Sequence, residues 1–329
     1  MASTTTSTRF VDKFGLAAPI ALAPMAYAAG GALAAACARA GALGLVGGGY
    51  GELPWLQREY ELALALGSRE RLGCGFITWK LDDEASALDW VLQHRPCAVM
   101  LSFGDPRAYA RRIAAAGAAL VCQIQRMEQL PHAIEAGAAV IVVQGGEAGG
   151  HGMDTLNGRA VISFVPEAAD WLARHSPSTL LLAAGGIADG RGIAAARVLG
   201  ADGVLVGSRF WATRESLAPD AAKRHALGLD GDATARSPVF DVLRRKSWPV
   251  PYDFRAVRNE LHRQWETKVE ELRASPDAAR AEFEQAAAAG DFTRANVTIG
   301  EAVGLIHDIP PAAEVIARML RETSQALAR

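Results

Sequence analysis

Short apolar runs recur along the first two thirds of the chain, and each is followed by a segment of helical composition. Consecutive apolar positions are typical of strands that are covered on both faces, as in the parallel sheets of βαβ units. Eight such runs within about 210 residues favour a (β/α)8 (TIM) barrel over an open doubly wound sheet. The runs span residues 19–25, 42–46, 72–78, 97–103, 119–125, 139–143, 180–184 and 204–210.

The segments between the runs are rich in alanine, leucine and arginine, and they predict the helices of the barrel. Several of them end in glycine followed directly by the next apolar run, which predicts left-handed helix caps and tight αβ loops. Longer loops follow the strands, at the end of a barrel where its chemistry is found. The predicted helices span residues 31–40, 53–66, 84–94, 105–116, 127–136, 166–174 and 190–199, and the capping glycines are Gly41, Gly117, Gly137 and Gly200.

The pattern changes between about residues 213 and 296, where prolines interrupt the chain and apolar runs of strand length disappear. Apolar residues spaced by three or four from Phe254 to Leu272, with Asp253 as the cap, predict one amphipathic helix. Ser275 and Pro276 predict the start of another. We therefore predict a barrel made of residues 1–213 and 297–329, closed by a final helix within 308–327, and an inserted helical cap domain at 214–296.

Composition excludes several functional classes. The 329 residues include 34 basic and 36 acidic ones, and the net charge of -2 gives no electrostatic argument for binding nucleic acid or a membrane. The four cysteines lack CxxC spacing, so neither a disulfide framework nor a metal site is predicted. The first residues lack an apolar signal core, and no later run reaches about 18 apolar residues. We expect a cytoplasmic protein, and a homodimer is one oligomeric state that the sequence leaves open.

Residues 142–152, with the sequence VVQGGEAGGHG, are the first candidate for chemistry. Five glycines let a flat ligand approach the main chain without meeting a Cβ atom. His151 lies among them, and its side chain ordinarily titrates near neutral pH, so it is a candidate catalytic acid or base. A solvated histidine in a common glycine-rich turn is the simpler alternative. Glu147 is expected either to orient His151 or to bond amides of the loop.

Two glycine-containing pairs end consecutive predicted strands. Gly185 and Gly186 follow the seventh, and Gly207 and Ser208 follow the eighth. Loops at these positions form the phosphate site of many barrels, because backbone N–H groups and a hydroxyl suit a phosphate dianion. The sequence therefore predicts a ligand that carries a phosphate. Arg209 and Arg214 are candidates to neutralise it.

Barrels of this kind hold three phosphate-bearing ligands: pyridoxal phosphate, sugar phosphates and flavin mononucleotide. A pyridoxal enzyme needs a lysine at a strand end, and the predicted strands contain none, with Lys80 just past the third. Sugar-phosphate isomerases need paired acid and base groups at the barrel mouth. Flavin mononucleotide (FMN) fits better, since residues 23–26 form a small apolar turn for its ring, and the amides of Gln123 and Gln144 could bond the ring edge or the ribityl chain. The alternatives are that Met25 belongs to the core and that both glutamines are buried structural residues.

Four motifs carry a family resemblance: PIALAPM at 19–25, GGEAGGHG at 145–152, LLAAGGIADGRG at 181–192 and GVLVGSRFWATRES at 203–216. Together they resemble the nitronate monooxygenase family, formerly called 2-nitropropane dioxygenases. The resemblance covers residues 10–216 and resumes at 300–316. It implies an FMN barrel with a helical cap, with His151 as the catalytic acid or base. The implied cofactor-binding residues are Pro24, Met25, Ala26, Thr78, Gln123, Gly149, Ala184, Gly185, Gly186, Gly207 and Ser208.

The resemblance leaves three activities open. The first is oxidation of alkyl nitronates or nitroalkanes by dioxygen to a carbonyl compound and nitrite. The second and third are reduction of quinones and of enoyl-acyl carrier protein by NAD(P)H through the flavin. Apart from the resemblance, a non-catalytic barrel that binds a phosphorylated ligand is a different class of protein that remains open. Two positions depart from many relatives: residues 75–79 lack an asparagine, and Gln123 stands where some relatives have lysine. We expect the first activity.

Overall fold

The computed structural model describes residues 7–329. Its strands in chain order are β1 (Ile20–Leu22), β2 (Gly44–Gly47), β3 (Leu72–Ile77), β4 (Ala98–Ser102), β5 (Ala119–Ile124), β6 (Val140–Gln144), β7 (Gly150–Met153), β8 (Leu180–Ala184), β9 (Gly203–Val206), β10 (Thr234–Ser237) and β11 (Tyr252–Val257). Eight of them form one parallel sheet in the order β1, β9, β8, β6, β5, β4, β3, β2. A bridge between Ala21 and Leu43 joins the two edge strands. The predicted eight-stranded barrel is confirmed.

Helices follow the barrel strands as predicted. They are α1 (Arg9–Phe14), α2 (Gly31–Arg39), α3 (Leu53–Leu66), α4 (Thr78–Leu81), α5 (Ser86–Gln93), α6 (Arg107–Ala115), α7 (Leu130–Glu135), α8 (Val161–His175), α9 (Gly190–Val198), α10 (Ser208–Trp211), α11 (Asp220–Ala226), α12 (Val239–Leu243), α13 (Glu260–Trp265), α14 (Val269–Ala274), α15 (Asp277–Ala289) and α16 (Ala312–Leu327). The four capping glycines have φ between 75° and 103°, which confirms the tight αβ loops. The last helix, α16, packs against α9 and α2.

The barrel strands are buried on both faces, as their apolar runs predict. Along β6, Val140 and Val142 belong to the core inside the barrel, whereas Ile141 and Val143 pack in the layer between strands and helices. Phe10 of α1 is fully buried in the inner core beside Gly203, where β9 begins. The inner core therefore fills the barrel below its C-terminal end. Among the described residues, no helix is long and apolar enough to span a membrane.

Residues 214–296 contain five helices, α11 to α15, together with the strands β10 and β11. These two strands form an antiparallel sheet with β7, which comes from the glycine-rich loop of the barrel. The prediction of a single amphipathic helix from Phe254 to Leu272 is wrong. Residues 252–257 form β11 because β7 and β10 offer hydrogen-bonding partners on both of its edges, and α13 begins only after its cap, Asn259. The division into barrel and cap stays a prediction.

Candidate active site

A cavity of about 540 Å³ lies at the C-terminal ends of the barrel strands, between the barrel and residues 214–296. Arg244, Trp248 and Phe254 line it from the inserted segment. From the barrel, it is lined by His151 and by ten of the residues implied to bind the cofactor, namely Pro24, Met25, Ala26, Gln123, Gly149, Ala184, Gly185, Gly186, Gly207 and Ser208. Residues far apart in the sequence thus meet around one space, because parallel strands end at the same side of a barrel.

Three sequence-based candidates lie elsewhere. Thr78 begins α4, is buried, and does not line the cavity, since its side chain packs beside Gly104. Arg209 is also buried, with Nη1 2.9 Å from Asp308 Oδ1 and Nη2 bonded to main-chain carbonyls. Arg214 is exposed and outside the lining. Neither arginine is placed to neutralise a ligand in the cavity.

The two glycine-containing pairs lie at the ends of β8 and β9 and line the cavity together. A Cβ atom on Gly207 would stand 3.6 Å from Ala23 Cβ and from Met25 Sδ, so the glycine keeps this part of the cavity open. Ser208 Oγ accepts a hydrogen bond from the Gly300 amide at 3.0 Å. Its own hydroxyl proton therefore remains available for a ligand oxygen. These groups fit a phosphate.

His151 lies on β7, in a wall of aromatic rings supplied by the inserted segment. Its ring stacks on Trp248 with 3.5 Å between centroids and an interplanar angle of 12°, and it contacts Phe254 at 4.7 Å. Its Nε2 atom is 3.0 Å from each carboxylate oxygen of Asp241. The side chains of His151 and Asp241 are only 7% and 6% exposed. The histidine is therefore packed and oriented, unlike a solvated loop residue.

Burial decides the protonation of His151. Desolvation lowers its pKa to about 4, although Asp241 opposes the shift through a hydrogen bond and its charge. The imidazole is consequently neutral near pH 7, and its Nε2–H donates to the Asp241 carboxylate. That hydrogen bond leaves Nδ1 as the unprotonated nitrogen, since the contacts of the ring with Asp241 are both made by Nε2. His151 thus offers a base to the cavity that it lines.

Glu147 does not contact His151. Its Oε1 accepts the Val161 amide at 2.9 Å in the first turn of α8, so of the two roles expected from the sequence, bonding of the loop amides is the one observed. The backbone of His151 is held instead by Gln144, whose Nε2 donates to the His151 carbonyl at 3.0 Å. Gln144 Oε1 accepts from Gln123 at 3.3 Å and from Gln125 at 3.1 Å. This amide chain ties β5 and β6 to β7.

Sequence reasoning missed Asp241, Arg244 and Trp248. They lie about 90 residues beyond His151 in the segment expected to be a helical cap. No spacing rule connects a loop histidine with an acid so distant in the chain. The one local signal is the run of charged residues and tryptophan between Pro238 and Pro249, which by itself indicates only a surface loop.

Fold and site together define a (β/α)8-barrel enzyme with a buried histidine facing a glycine-lined cavity. Comparison with known families narrows this class: residues 76–322 match the model described as nitronate monooxygenase. The chain belongs to the nitronate monooxygenase family. Members of this family are flavin-dependent oxidoreductases, and the cofactor implied for this chain is accordingly a flavin.

Individual relatives agree with this placement. The chain is 34% identical to the nitronate monooxygenase of Neurospora crassa, over 92% of this chain and 88% of that protein. Among solved structures, FabK from Thermotoga maritima superposes with a TM-score of 0.82 at 25% identity, covering 98% of both chains. A nitroalkane oxidase from Streptomyces ansochromogenes gives a TM-score of 0.79 at 26% identity, over 97% of this chain and 99% of that one. The relatives match along nearly the whole chain.

Proposed function

We propose that this protein is an FMN-dependent enzyme that uses dioxygen to oxidise alkyl nitronates, or the parent nitroalkanes, to a carbonyl compound and nitrite. The single observation that carries the proposal is the position of the His151 imidazole. It is fixed between Trp248 and Asp241, and the ring lines the glycine-rich cavity. The names of the relatives support the same substrate class.

The residues present fit FMN in particular. Gly185, Gly186, Gly207 and Ser208 would hold its phosphate, since they provide backbone groups, a hydroxyl donor and room for an anion. Residues 24–26 and Gly149 would lie against the ring. When bound, the flavin supplies the capacity to accept electrons from the substrate and to pass them to dioxygen.

The chain's own groups have two tasks. Nδ1 of His151 takes the proton from the carbon beside the nitro group when the substrate arrives as a neutral nitroalkane, and it positions a substrate that is already a nitronate. The aromatic side chains of Tyr50, Phe103, Trp248 and Phe254 line the cavity around it. They exclude bulk water and so keep the electrostatic interactions inside the site strong.

The proposal is tested by following oxygen consumption and nitrite release together in the purified enzyme with an alkyl nitronate. We expect nitrite to appear as oxygen is consumed, and the two rates to stay proportional as the enzyme concentration changes. Oxygen uptake without nitrite, or no uptake at all with a flavin-loaded protein, would contradict the proposed activity.

A nicotinamide-dependent reductase is the second candidate, favoured by one feature of the cavity. Part of its lining is apolar and comes from α11, α15 and their flanks, namely Leu217, Ala218, Pro219, Ala222, Ala287, Phe292 and Ala295. Such a surface suits a quinone ring or an acyl chain. A non-catalytic barrel is the weakest candidate, because a purely binding site has no use for the His151–Asp241 pair.

We propose that residues 214–296 act as a cap over a barrel of residues 1–213 and 297–329, because both parts line the cavity. We also propose a cytoplasmic protein with small-molecule substrates and no nucleic-acid or membrane partner, which the near-zero net charge supports. A homodimer is the oligomeric state that we propose, and sedimentation of the purified protein tests it.

We expect the Asp241→Asn substitution to separate two roles of His151. An amide cannot act as a charged acceptor for Nε2–H, so it no longer fixes the neutral tautomer whose Nδ1 is the base. The value of kcat/KM for a neutral nitroalkane should fall roughly tenfold to a hundredfold, in line with the loss of one charge-assisted hydrogen bond. Oxidation of the corresponding nitronate, which needs no proton abstraction, should fall less.

Steady-state kinetics with a nitroalkane and its preformed nitronate check this expectation, with flavin content measured for each variant. Asp253→Asn is a matched control, since Asp253 is the neighbouring carboxylate on β11 but does not contact His151. An equal loss with both substrates in Asp241→Asn would show that Asp241 only holds the fold.

A further inference from the structure

Arg244 lies directly after α12, three residues beyond Asp241, and lines the cavity. Its guanidinium carbon is 4.4 Å from the centroid of the Phe254 ring. The same ring contacts the imidazole of His151 at 4.7 Å between centroids. Arg244 and His151 therefore share one aromatic neighbour and face the same part of the site.

The guanidinium of Arg244 has fewer partners than those of neighbouring arginines, although its side chain interacts with the Tyr50 hydroxyl. Its Nη1 is buried without a hydrogen-bond acceptor, and Arg244 forms no ion pair with any described residue. By contrast, both Nη groups of Arg236 donate to main-chain carbonyls, and Arg255 pairs with Glu301 at 2.8 Å. A buried donor without an acceptor is costly, so a ligand that supplies one gains binding energy here.

A second cation lies close by. The Lys246 ammonium is 3.9 Å from the centroid of the Tyr50 ring, and the Tyr50 hydroxyl accepts a hydrogen bond from Trp248 Nε1 at 2.9 Å. Trp248 is the ring stacked on His151. Arg244 and Lys246 thus place two cations around the aromatic rings near His151, beside the Asp241 carboxylate.

We propose that Arg244 binds the anionic end of the substrate, a planar anion with two oxygens, and so determines the enzyme's preference for charged substrates. This inference rests on the proposed function, in which that anion is the nitronate group. A nitronate spreads its charge over two oxygens on one nitrogen, as a carboxylate does over two oxygens on one carbon. The planar guanidinium matches this geometry with paired N–H···O hydrogen bonds.

The assignment also explains how a neutral nitroalkane is handled. Negative charge develops on the nitro oxygens when the carbon beside them loses its proton to His151. A guanidinium placed there stabilises that charge as it forms. Arg244 therefore acts both in binding the nitronate and in helping His151 to generate it.

The test uses the flavin-loaded holoenzyme and its Arg244→Met and Arg244→Lys variants. Calorimetric titration measures the affinity for benzoate, an unreactive planar anion, and for benzamide, its neutral counterpart. We expect Arg244→Met to weaken benzoate binding by about tenfold to a hundredfold, the range of a charge-assisted hydrogen-bond pair, and to leave benzamide binding within about twofold. Arg244→Lys keeps the positive charge but not the paired N–H donors of the guanidinium. Its affinity for benzoate should therefore lie between those of the parent enzyme and of Arg244→Met.

Two controls keep the outcome clear. Arg245→Met alters the adjacent arginine, which is exposed and paired with Glu284, and should change neither affinity. Flavin content and the thermal unfolding midpoint show whether each variant is intact. Equal losses for benzoate and benzamide in Arg244→Met, or a parent enzyme that binds benzoate no more tightly than benzamide, would overturn the assignment.

Kinetics identify which anion Arg244 binds. If it binds the nitronate group, Arg244→Met raises KM by a similar factor for an unsubstituted alkyl nitronate and for one that carries a carboxylate. If only the carboxylated substrate is affected, the nitronate assignment is overturned and Arg244 binds a substrate carboxylate. Failure of the proposed function looks different, because an enzyme that oxidises no nitronate would still bind benzoate in an Arg244-dependent way.

Discussion

Replacing His151 by asparagine lowers kcat/KM for a neutral nitroalkane by roughly 10²-fold or more, the usual contribution of a positioned general base. Asparagine keeps a polar side chain of similar reach but has no basic nitrogen near neutral pH. The ring of His151 is held by Trp248 and Asp241, whereas we propose that the phosphate is held by the glycines after β8 and β9. The variant should therefore retain its flavin, as measured by visible absorbance per protein.

His175 provides a matched control for this substitution. It also stacks on a tryptophan, Trp171, at 4.3 Å, but it is exposed on α8 and outside the cavity. His175→Asn should keep full activity. Unchanged nitroalkane turnover in His151→Asn, with flavin retained, would remove His151 from the role of base.

The pH profile follows from the burial of His151. Only the neutral imidazole accepts a proton, and desolvation lowers its pKa to about 4. The value of kcat/KM for a neutral nitroalkane, which reports the free enzyme, should therefore stay constant as pH falls through 6.5, where a solvated histidine becomes protonated. It should decline only as pH approaches about 4. Measurements of kcat/KM in buffers from pH 4 to 8, with flavin retention checked at each pH, test this expected dependence. A midpoint near 6.5 would contradict the buried, neutral histidine.

Gly207→Leu should yield a folded protein that has lost most of its flavin affinity. The backbone at Gly207 has φ of -104°, which any residue adopts, and an added Cβ would meet only ordinary contacts at 3.6 Å. The rest of the leucine side chain would occupy the cavity beside Met25. Overfilling of this kind costs about 1–3 kcal/mol, so we expect FMN to bind roughly tenfold to a hundredfold more weakly.

Flavin absorbance and equilibrium dialysis against FMN measure this loss, and circular dichroism reports the fold. Gly228→Leu is the control, because Gly228 has open space around its Cβ position and lies outside the cavity. Full flavin content in Gly207→Leu would place the phosphate elsewhere.

The barrel and half of its site follow from the sequence for one physical reason. Parallel strands buried on both faces need consecutive apolar residues, so each strand is visible as a run, and its C-terminal end is fixed to within a few residues. Since all those ends meet, Pro24, Gly149, Gly185 and Gly207 could be expected around one cavity. Thr78 does not line the cavity, because α4 begins at that residue and its side chain packs beside Gly104.

The other half of the site depends on tertiary pairing that no local pattern encodes. Phe254 and Val257 fit a helical spacing, but Phe254 and Ala256 equally fit the alternation of a strand, and both pairs are buried. The segment is a strand because β7 and β10 pair with it on either side. That sheet sets Phe254 directly opposite His151, and the connection from β10 to β11 brings in Asp241 on α12 and Trp248 in the loop after it. The residues that contact His151 could therefore be identified only from the structure.

The most direct test of the account is an anaerobic visible spectrum of the purified protein, recorded before and after adding an alkyl nitronate, with reduced nicotinamide in a parallel cuvette. We predict flavin bands that change on addition of the nitronate and persist with the nicotinamide. Bleaching by the nicotinamide alone would contradict the monooxygenase and establish the reductase. Absence of flavin bands from a folded protein would contradict the cofactor assignment itself.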